Sequence, residues 1–306
     1  MISTIKGTSA EAPTQTRTGF LEFGSTSIKF YLVSLTGETA GQVIEEIKLP
    51  WDIGYDVFVH ERISPSTMSQ CLAALRDLKS RFPDLAFEGV TGVGTSALRE
   101  AQNVEVFKQM LLDTLKVKLH IIEGGIEAFL LETGFRDLVK QYPTAIFDLG
   151  GGSVELVEYL SPASTRKTSL PVGAIRLHCR LQRNRDLFRY LEEGRRTVLE
   201  AFHQQLPEPL RLKELLGTGG TVRAVVQALG RDRFSREDVL ALIQAEIHGQ
   251  PQRGLPPHRR NAFFPGLIVM EGLFAALRVE EISYRGGSVK QGLMSLAQMI
   301  PLGAGR

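Results

Sequence analysis

The stretch GFLEFGSTSIKFYLVSL at residues 19–35 returns about 126 residues later as AIFDLGGGSVELVEYL at residues 145–160. Each copy reads as an apolar strand, an acidic residue, a hydrophobic residue, a glycine, a small-residue turn containing serine, and a second strand. The recurrence predicts two related α/β domains.

The segments between the copies fit alternating strands and helices. VIEEIKL is a third strand after the first copy. Met68, Cys71, Leu72, Leu75 and Leu78 repeat with helical period and predict a helix over Ser66 to Lys79. FEGVTGVG is a strand, Val104 to Leu115 a helix, KLHII a strand, and Gly124 to about Leu138 a helix. After the second copy, helices are expected over Arg185 to Gln205, Ser235 to His248 and Phe263 to Val279, with a final helix from near Ser288. The expected division is a flexible leader over 1–18, a first domain over 19–130 completed by 289–306, and a second over 131–288.

The chain's 306 residues suffice for two substantial cores. Lys and Arg number 36 against 34 Asp and Glu, a formal charge of +2 that selects no partner. No zinc-finger spacing or arginine-rich tail speaks for nucleic acid. Arg176, Arg180, Arg183 and Arg185 lie close in sequence, as do Arg253, Arg259 and Arg260, either as solvated surface or as a positive lip that attracts a polyanion. The two cysteines, Cys71 and Cys179, form no metal-like pair and fit a reduced compartment. With no signal-peptide-like start and no uncharged apolar run of membrane-spanning length, a cytoplasmic location without membrane is expected.

Three glycine-rich turns carry the chemistry: Gly24-Ser25-Thr26-Ser27, Gly150-Gly151-Gly152-Ser153 and Gly217-Thr218-Gly219-Gly220-Thr221. Consecutive backbone N–H groups in such turns form concave anion sites, hydroxyls add donors, and glycine removes the Cβ that would hold an oxygen away. A single turn of this kind is commonly a plain β-turn. Three in one chain, two of them preceded by a carboxylate at matched spacing, point to a phosphate chain. The Walker pattern G-x-x-x-x-G-K-[ST] is absent from the sequence.

Glu22 and Asp148 stand two residues before their glycines, where a carboxylate either holds a divalent cation against phosphate oxygens or accepts from its own turn. Glu127 and Glu155 are candidates to activate water. From the residues alone Glu127 reads as a surface helical glutamate, and the facing of Glu155 in GSVELVEY is undecided. Arg99 in SALRE either clamps phosphate or pairs with Glu100 or Glu105 on the surface.

The motifs VGTSALREAQN (93–103), IIEGGIEAFL (121–130), FDLGGGSVEL (147–156), LPVGAIRL (170–177) and GTGGTVRAV (217–225) together resemble the exopolyphosphatase / guanosine pentaphosphate phosphohydrolase (Ppx/GppA) family, within the actin, hexokinase and Hsp70-like superfamily. The resemblance covers nearly all of the chain from Gly19 and implies duplicated ribonuclease-H-like domains, with the turns at Gly24 and Gly150 facing each other across a cleft. It implies that Glu127 is the catalytic base, that Glu155 assists with water or metal, that Arg99 binds substrate, and that Asp148 is the acid of the second loop, with magnesium (or manganese) as the cation. This sequence departs from the family in having Glu22 for aspartate, Thr26 for asparagine, Ile126 before Glu127, and Arg259-Arg260-Asn261 for Arg-Ala-Asp. The helical C-terminal region of longer members is not among the motifs matched, which leads to an expectation of modest processivity.

The leading expectation is a hydrolase that removes terminal phosphate from inorganic polyphosphate, guanosine pentaphosphate or both, in a chain that is a possible homodimer. The alternatives are a binding or regulatory protein that closes on a phosphorylated ligand, and an actin-like kinase. The sequence does not choose between the polymer and the nucleotide.

Overall fold

A computed structural model describes residues 17–35, 41–182, 186–206, 211–250, 252, 255, 257–287 and 292. Residues 1–16 of the leader expected over 1–18, and the final helix expected from Ser288, lie outside the described residues, Gly292 excepted, while Arg17 and Thr18 belong to the first strand rather than to a leader.

Two mixed sheets repeat one topology. In the first, β1 (Arg17–Phe23), β2 (Ser27–Ser34) and β3 (Val43–Pro50) form an antiparallel meander. β4 (Thr91–Gly94) and β5 (Lys118–Ile121) then add parallel to β1 on its other side, giving the order β3-β2-β1-β4-β5. In the second, β6 (Thr144–Leu149), β7 (Val154–Ser161) and β8 (Ser164–Leu170) repeat the meander, and β9 (Glu214–Gly219) lies parallel to β6. β10 (Arg233–Ser235) and β11 (Glu281–Tyr284) complete the order β10-β11-β9-β6-β7-β8. Apart from β10, the two orders superpose strand for strand. This is the pair of related α/β domains expected from the repeat, in the duplicated topology that the family resemblance implies.

Both sheets owe their stability to apolar faces covered by helices. In the first unit, α1 (Ile53–His60), α2 (Pro65–Arg81) and α4 (Val104–Leu115) cover strand residues such as Leu21, Phe23 and Phe30. Trp51 stacks on Phe107 with ring centroids 5.5 Å apart and meets Phe23 edge-on at 5.7 Å. In the second unit, α10 (Pro257–Leu277) is the central core helix. Its Arg260–Leu277 stretch is apolar and long enough to cross a membrane, yet 72% of it is buried inside the protein, as a core helix is. Its Glu271 is buried and accepts from Arg195 and Arg236 at 3.2 and 2.6 Å, which satisfies the charge within the helix layer.

One helix serves both sheets. α5 (Gly124–Phe135) places Ala128, Leu131 and Phe135 against Ile146, Val157 and Tyr159 of the second sheet. Its Leu130 packs instead on Tyr31, Val33 and Val93 of the first. Glu132 pins the helix to β8 by accepting from Lys167 at 2.6 Å and Thr165 at 3.1 Å. Glu127 lies on the same face, three and four residues before Leu130 and Leu131, so it is carried inward between the sheets.

The sequence pattern did not reveal β8, α1 or α6 (Ala174–Leu181). β8 is the sheet's edge, and its STRKTSL composition is that of a polar loop. α6 follows Gly173 with no side-chain cap to announce it.

Candidate active site

The two hairpin turns are built alike. Gly24 N–H donates to the Ser27 carbonyl and Gly150 N–H to the Ser153 carbonyl, both at 3.0 Å. The carbonyls inside each turn are then tied to the segment that follows the third strand of its own unit. In the second unit, Gly150 O accepts from Ala174 N–H at 3.1 Å, and Gly151 O from Ile175 and Arg176 N–H at 2.8 and 3.0 Å. In the first, Ser25 O accepts from Gly54 N–H at 2.9 Å and Thr26 O from Trp51 N–H at 3.3 Å. C=O and N–H point in opposite directions across a trans peptide, so the N–H groups of Thr26, Ser27, Gly151 and Gly152 are turned away from those segments. The same residues line one cavity of about 160 Å³ between the units. Such a ring of backbone donors is an anion site.

The third turn closes the floor. Gly219 has φ of +100°, and a Cβ there would lie 2.6 Å from Asp148 Oδ1, so only glycine fits between β9 and α8 (Gly220–Leu229). Gly219, Gly220 and Thr221 all line the cavity.

Five carboxylates line the same space: Glu22, Glu46, Asp148, Glu127 and Glu155. Asp148 stands opposite Glu155 across β6–β7, and Glu22 opposite Lys29 across β1–β2. Glu155 is buried and accepts from Ser169 Oγ at 3.0 Å. Burial, and then the Glu127 charge, push its carboxyl well above the usual range, with the Ser153 and Ser169 hydroxyls working the other way. The undecided facing of Glu155 thus resolves inward.

Glu127 is buried too, not the surface glutamate that its helix alone implied. Its carboxylate receives Arg99 Nη1, which also donates to the Ile122 carbonyl at 2.7 Å. Arg99 comes from the short helix α3 (Ser96–Glu100) of the first unit. It therefore pairs neither with Glu100 nor with Glu105. Burial pushes the Glu127 carboxyl up to about 7; Arg99 opposes the shift, while Asp148 and Glu22 add to it. A Cβ on Gly124 would meet Ser169 Oγ at 2.3 Å, so the start of α5 is pressed against β8 at this point.

Glu22 is already engaged. Its Oε1 accepts from Lys29 Nζ at 2.6 Å and its Oε2 from Tyr31 OH at 2.8 Å. Burial works against the Lys29 ammonium, but Glu22, with Asp148 and Glu46 beyond it, raises the lysine above its usual value. No group of three or more His, Cys, Asp or Glu side chains that could hold a metal ion occurs among the described residues. The donor set suits a hard cation bound by one or two carboxylates and completed by water and phosphate oxygens.

The Ppx/GppA phosphatase family model matches residues 36–298. The chain belongs to that family. A bifunctional 3-dehydroquinate synthase/phosphatase of Fusobacterium nucleatum is 25% identical over 252 residues, 74% of this chain and 37% of that protein. A guanosine-5'-triphosphate,3'-diphosphate pyrophosphatase of Photobacterium profundum is 24% identical over 290 residues, 90% of this chain. The chain spans 58% of the length of that second relative. The solved structure of an exopolyphosphatase-like protein superposes with a TM-score of 0.78 at 20% identity, covering 93% of this chain and 99% of the other, which establishes the shared fold.

In this Ppx/GppA chain, the site residues expected from sequence line one cavity except Arg99, which reaches it through Glu127. Sequence reasoning missed three cations on the cavity wall: Lys29, Lys48 and Arg223. Lys29 had a signal, because the hairpin that pairs Asp148 with Glu155 pairs Glu22 with Lys29 at the same spacing. The positive lip is not formed by Arg176, which is ion-paired with Glu100. Arg183, Arg185 and Arg253 lie outside the described residues.

Proposed function

We propose that the chain is a phosphoanhydride hydrolase that releases terminal phosphate from inorganic polyphosphate, guanosine pentaphosphate or both. The carrying observation is Glu127, a buried carboxylate held by Arg99 beside two turns whose N–H groups face one cavity. The names of the Photobacterium relative and of the exopolyphosphatase-like structure support this substrate class.

The turn N–H groups and the Ser25, Ser27 and Ser153 hydroxyls bind the terminal phosphoryl oxygens. Lys29, Lys48 and Arg223 offset the charge of the remaining phosphates. Glu127, oriented by Arg99, accepts a proton from water as the water oxygen bonds to the terminal phosphorus. The bridging P–O bond breaks and its electron pair stays on the shortened chain. Glu155, whose carboxyl burial and the Glu127 charge push well above its usual range, accepts from the Ser169 hydroxyl at the cavity wall and assists with water or metal. Asp148, and Glu22 through water, would hold magnesium (or manganese), which supplies charge neutralisation at the phosphate oxygens.

One observation favours a second reading, a phosphate-ligand binding or regulatory protein. Both Glu22 oxygens are occupied by Lys29 and Tyr31, which weakens the first unit's share of a cation site. Magnesium-dependent phosphate release from defined-length polyphosphate and from guanosine pentaphosphate separates the two. Release from either substrate supports the hydrolase and identifies its substrate. Ligand binding without release supports the regulatory reading.

A further inference from the structure

Arg176 uses every edge of its guanidinium, and its partners lie in both units. It sits in the first turn of α6. Nε donates to the Gly152 carbonyl at 2.6 Å, within its own unit's phosphate turn. Nη2 donates to Ser96 Oγ at 3.0 Å, and Nη1 to Glu100 at 2.7 Å, both on α3 of the other unit. The guanidinium also lies over the Phe58 ring of α1, 4.3 Å from its centroid. The equivalent position in the first unit is Tyr55, since Gly54 N–H meets Ser25 O as Ile175 N–H meets Gly151 O. The latch thus belongs to the second unit alone.

We propose that Arg176 is the positioning residue that joins closure of the two units to the aim of the second phosphate-binding turn. Three consecutive carbonyls of that turn face α6: two are held by backbone N–H groups and the third, Gly152 O, by Arg176 Nε. Across the trans peptide, that third bond directs the Ser153 N–H to the cavity side. The same guanidinium grips α3 next to Arg99, the partner of Glu127. It also occupies an acceptor position of Ser96 Oγ, which leaves that hydroxyl proton for an anion in the cavity that Ser96 lines. One side chain therefore sets a donor on the second unit, a donor on the first, and the helix that orients the base. Lysine cannot replace it, because a single ammonium cannot span these four partners.

This inference rests on the phosphohydrolase reading, so the test has a binding arm that stands without turnover. Phosphate release and tripolyphosphate affinity by calorimetry are measured for wild type, Arg176→Lys, Glu100→Gln and the double variant, each with its melting temperature. Arg176→Lys is expected to lose about ten-fold or more in kcat and in tripolyphosphate affinity, with a fall in melting temperature of only a few degrees. The double variant is expected to be no worse than Arg176→Lys alone, because the two side chains act as one contact. Guanidinium ion added to Arg176→Ala is expected to restore part of the lost release. Wild-type kinetics and affinity in Arg176→Lys, or strictly additive losses in the double variant, would overturn the proposal. Absence of release from the wild type would count against the hydrolase alone, and the affinity comparison would still decide the role of Arg176.

Discussion

Asp148 stands directly opposite Glu155 across β6–β7, at the register position where the first unit sets Glu22 opposite Lys29. The duplicated hairpin thus delivers two acids on one side of the cavity and an ion pair on the other. On the proposed reading these like positions take unlike roles: Lys29 would add to the charge that receives a polyanion, and Asp148 would carry the cation.

A cation dependence follows from that difference. Asp148→Asn is expected to raise the magnesium needed for half-maximal phosphate release by about 10–100-fold, and Glu22→Gln by clearly less. A magnesium titration of the two variants checks this. An equal or larger shift in Glu22→Gln would place the cation in the first unit instead.

Much of this site is legible in the sequence. The matched spacing of acid, glycine and serine in the two hairpins located Glu22, Asp148 and both turns, because a short hairpin fixes register by its loop length alone. The inward face of Glu127 was also written in the sequence, through Leu130 and Leu131 one helical turn later. Periodicity alone hides it, because α5 is apolar on several sides, with Ile126 and Phe129 exposed, and shows no clear polar face. The partners of Arg99 and Arg176 were not legible. They lie 28 and 76 residues away: the pairing of β4 with β5 brings Arg99 to Glu127, and the packing of one unit on the other brings Arg176 to Glu100.

The pH dependence of turnover should follow Glu127. As the proposed base it would work ionised, and burial pushes its carboxyl up to about 7. Phosphate release is therefore expected to rise with pH through the neutral range and then level. The bound cation shifts this limb toward lower pH by favouring the carboxylate. Initial rates from pH 5 to 9 at saturating magnesium measure the limb.

Stability should move the other way in chelator. The folded-state carboxyl of Glu127 titrates above its ordinary 4.5, so the folded protein holds a proton that the unfolded chain releases. That contribution is complete below about 4.5 and is lost as pH rises through about 7, a change of up to a few kcal/mol. Glu127→Gln lacks the titration. Melting temperatures in chelator at pH 5 and pH 8 are expected to show the variant gaining on wild type at the higher pH.

Gly152 is a tight point between the units. A Cβ there would lie 2.4 Å from Ser96 Oγ and 2.8 Å from the Phe58 ring, both in the other unit. Gly152→Ala is expected to cost about 1–3 kcal/mol by overpacking and to weaken tripolyphosphate binding about ten-fold or more. Calorimetry together with thermal denaturation tests both effects.

The most direct test follows the oxygen. Tripolyphosphate is hydrolysed in ¹⁸O-labelled water with magnesium, by wild type and by Glu127→Gln, and the products are examined by mass spectrometry. One labelled oxygen is expected in the released orthophosphate and none in the pyrophosphate, with release in the variant slower by about 10²–10⁴-fold. Undiminished release in Glu127→Gln, or label retained on the pyrophosphate, would contradict attack on the terminal phosphorus by a water that Glu127 activates.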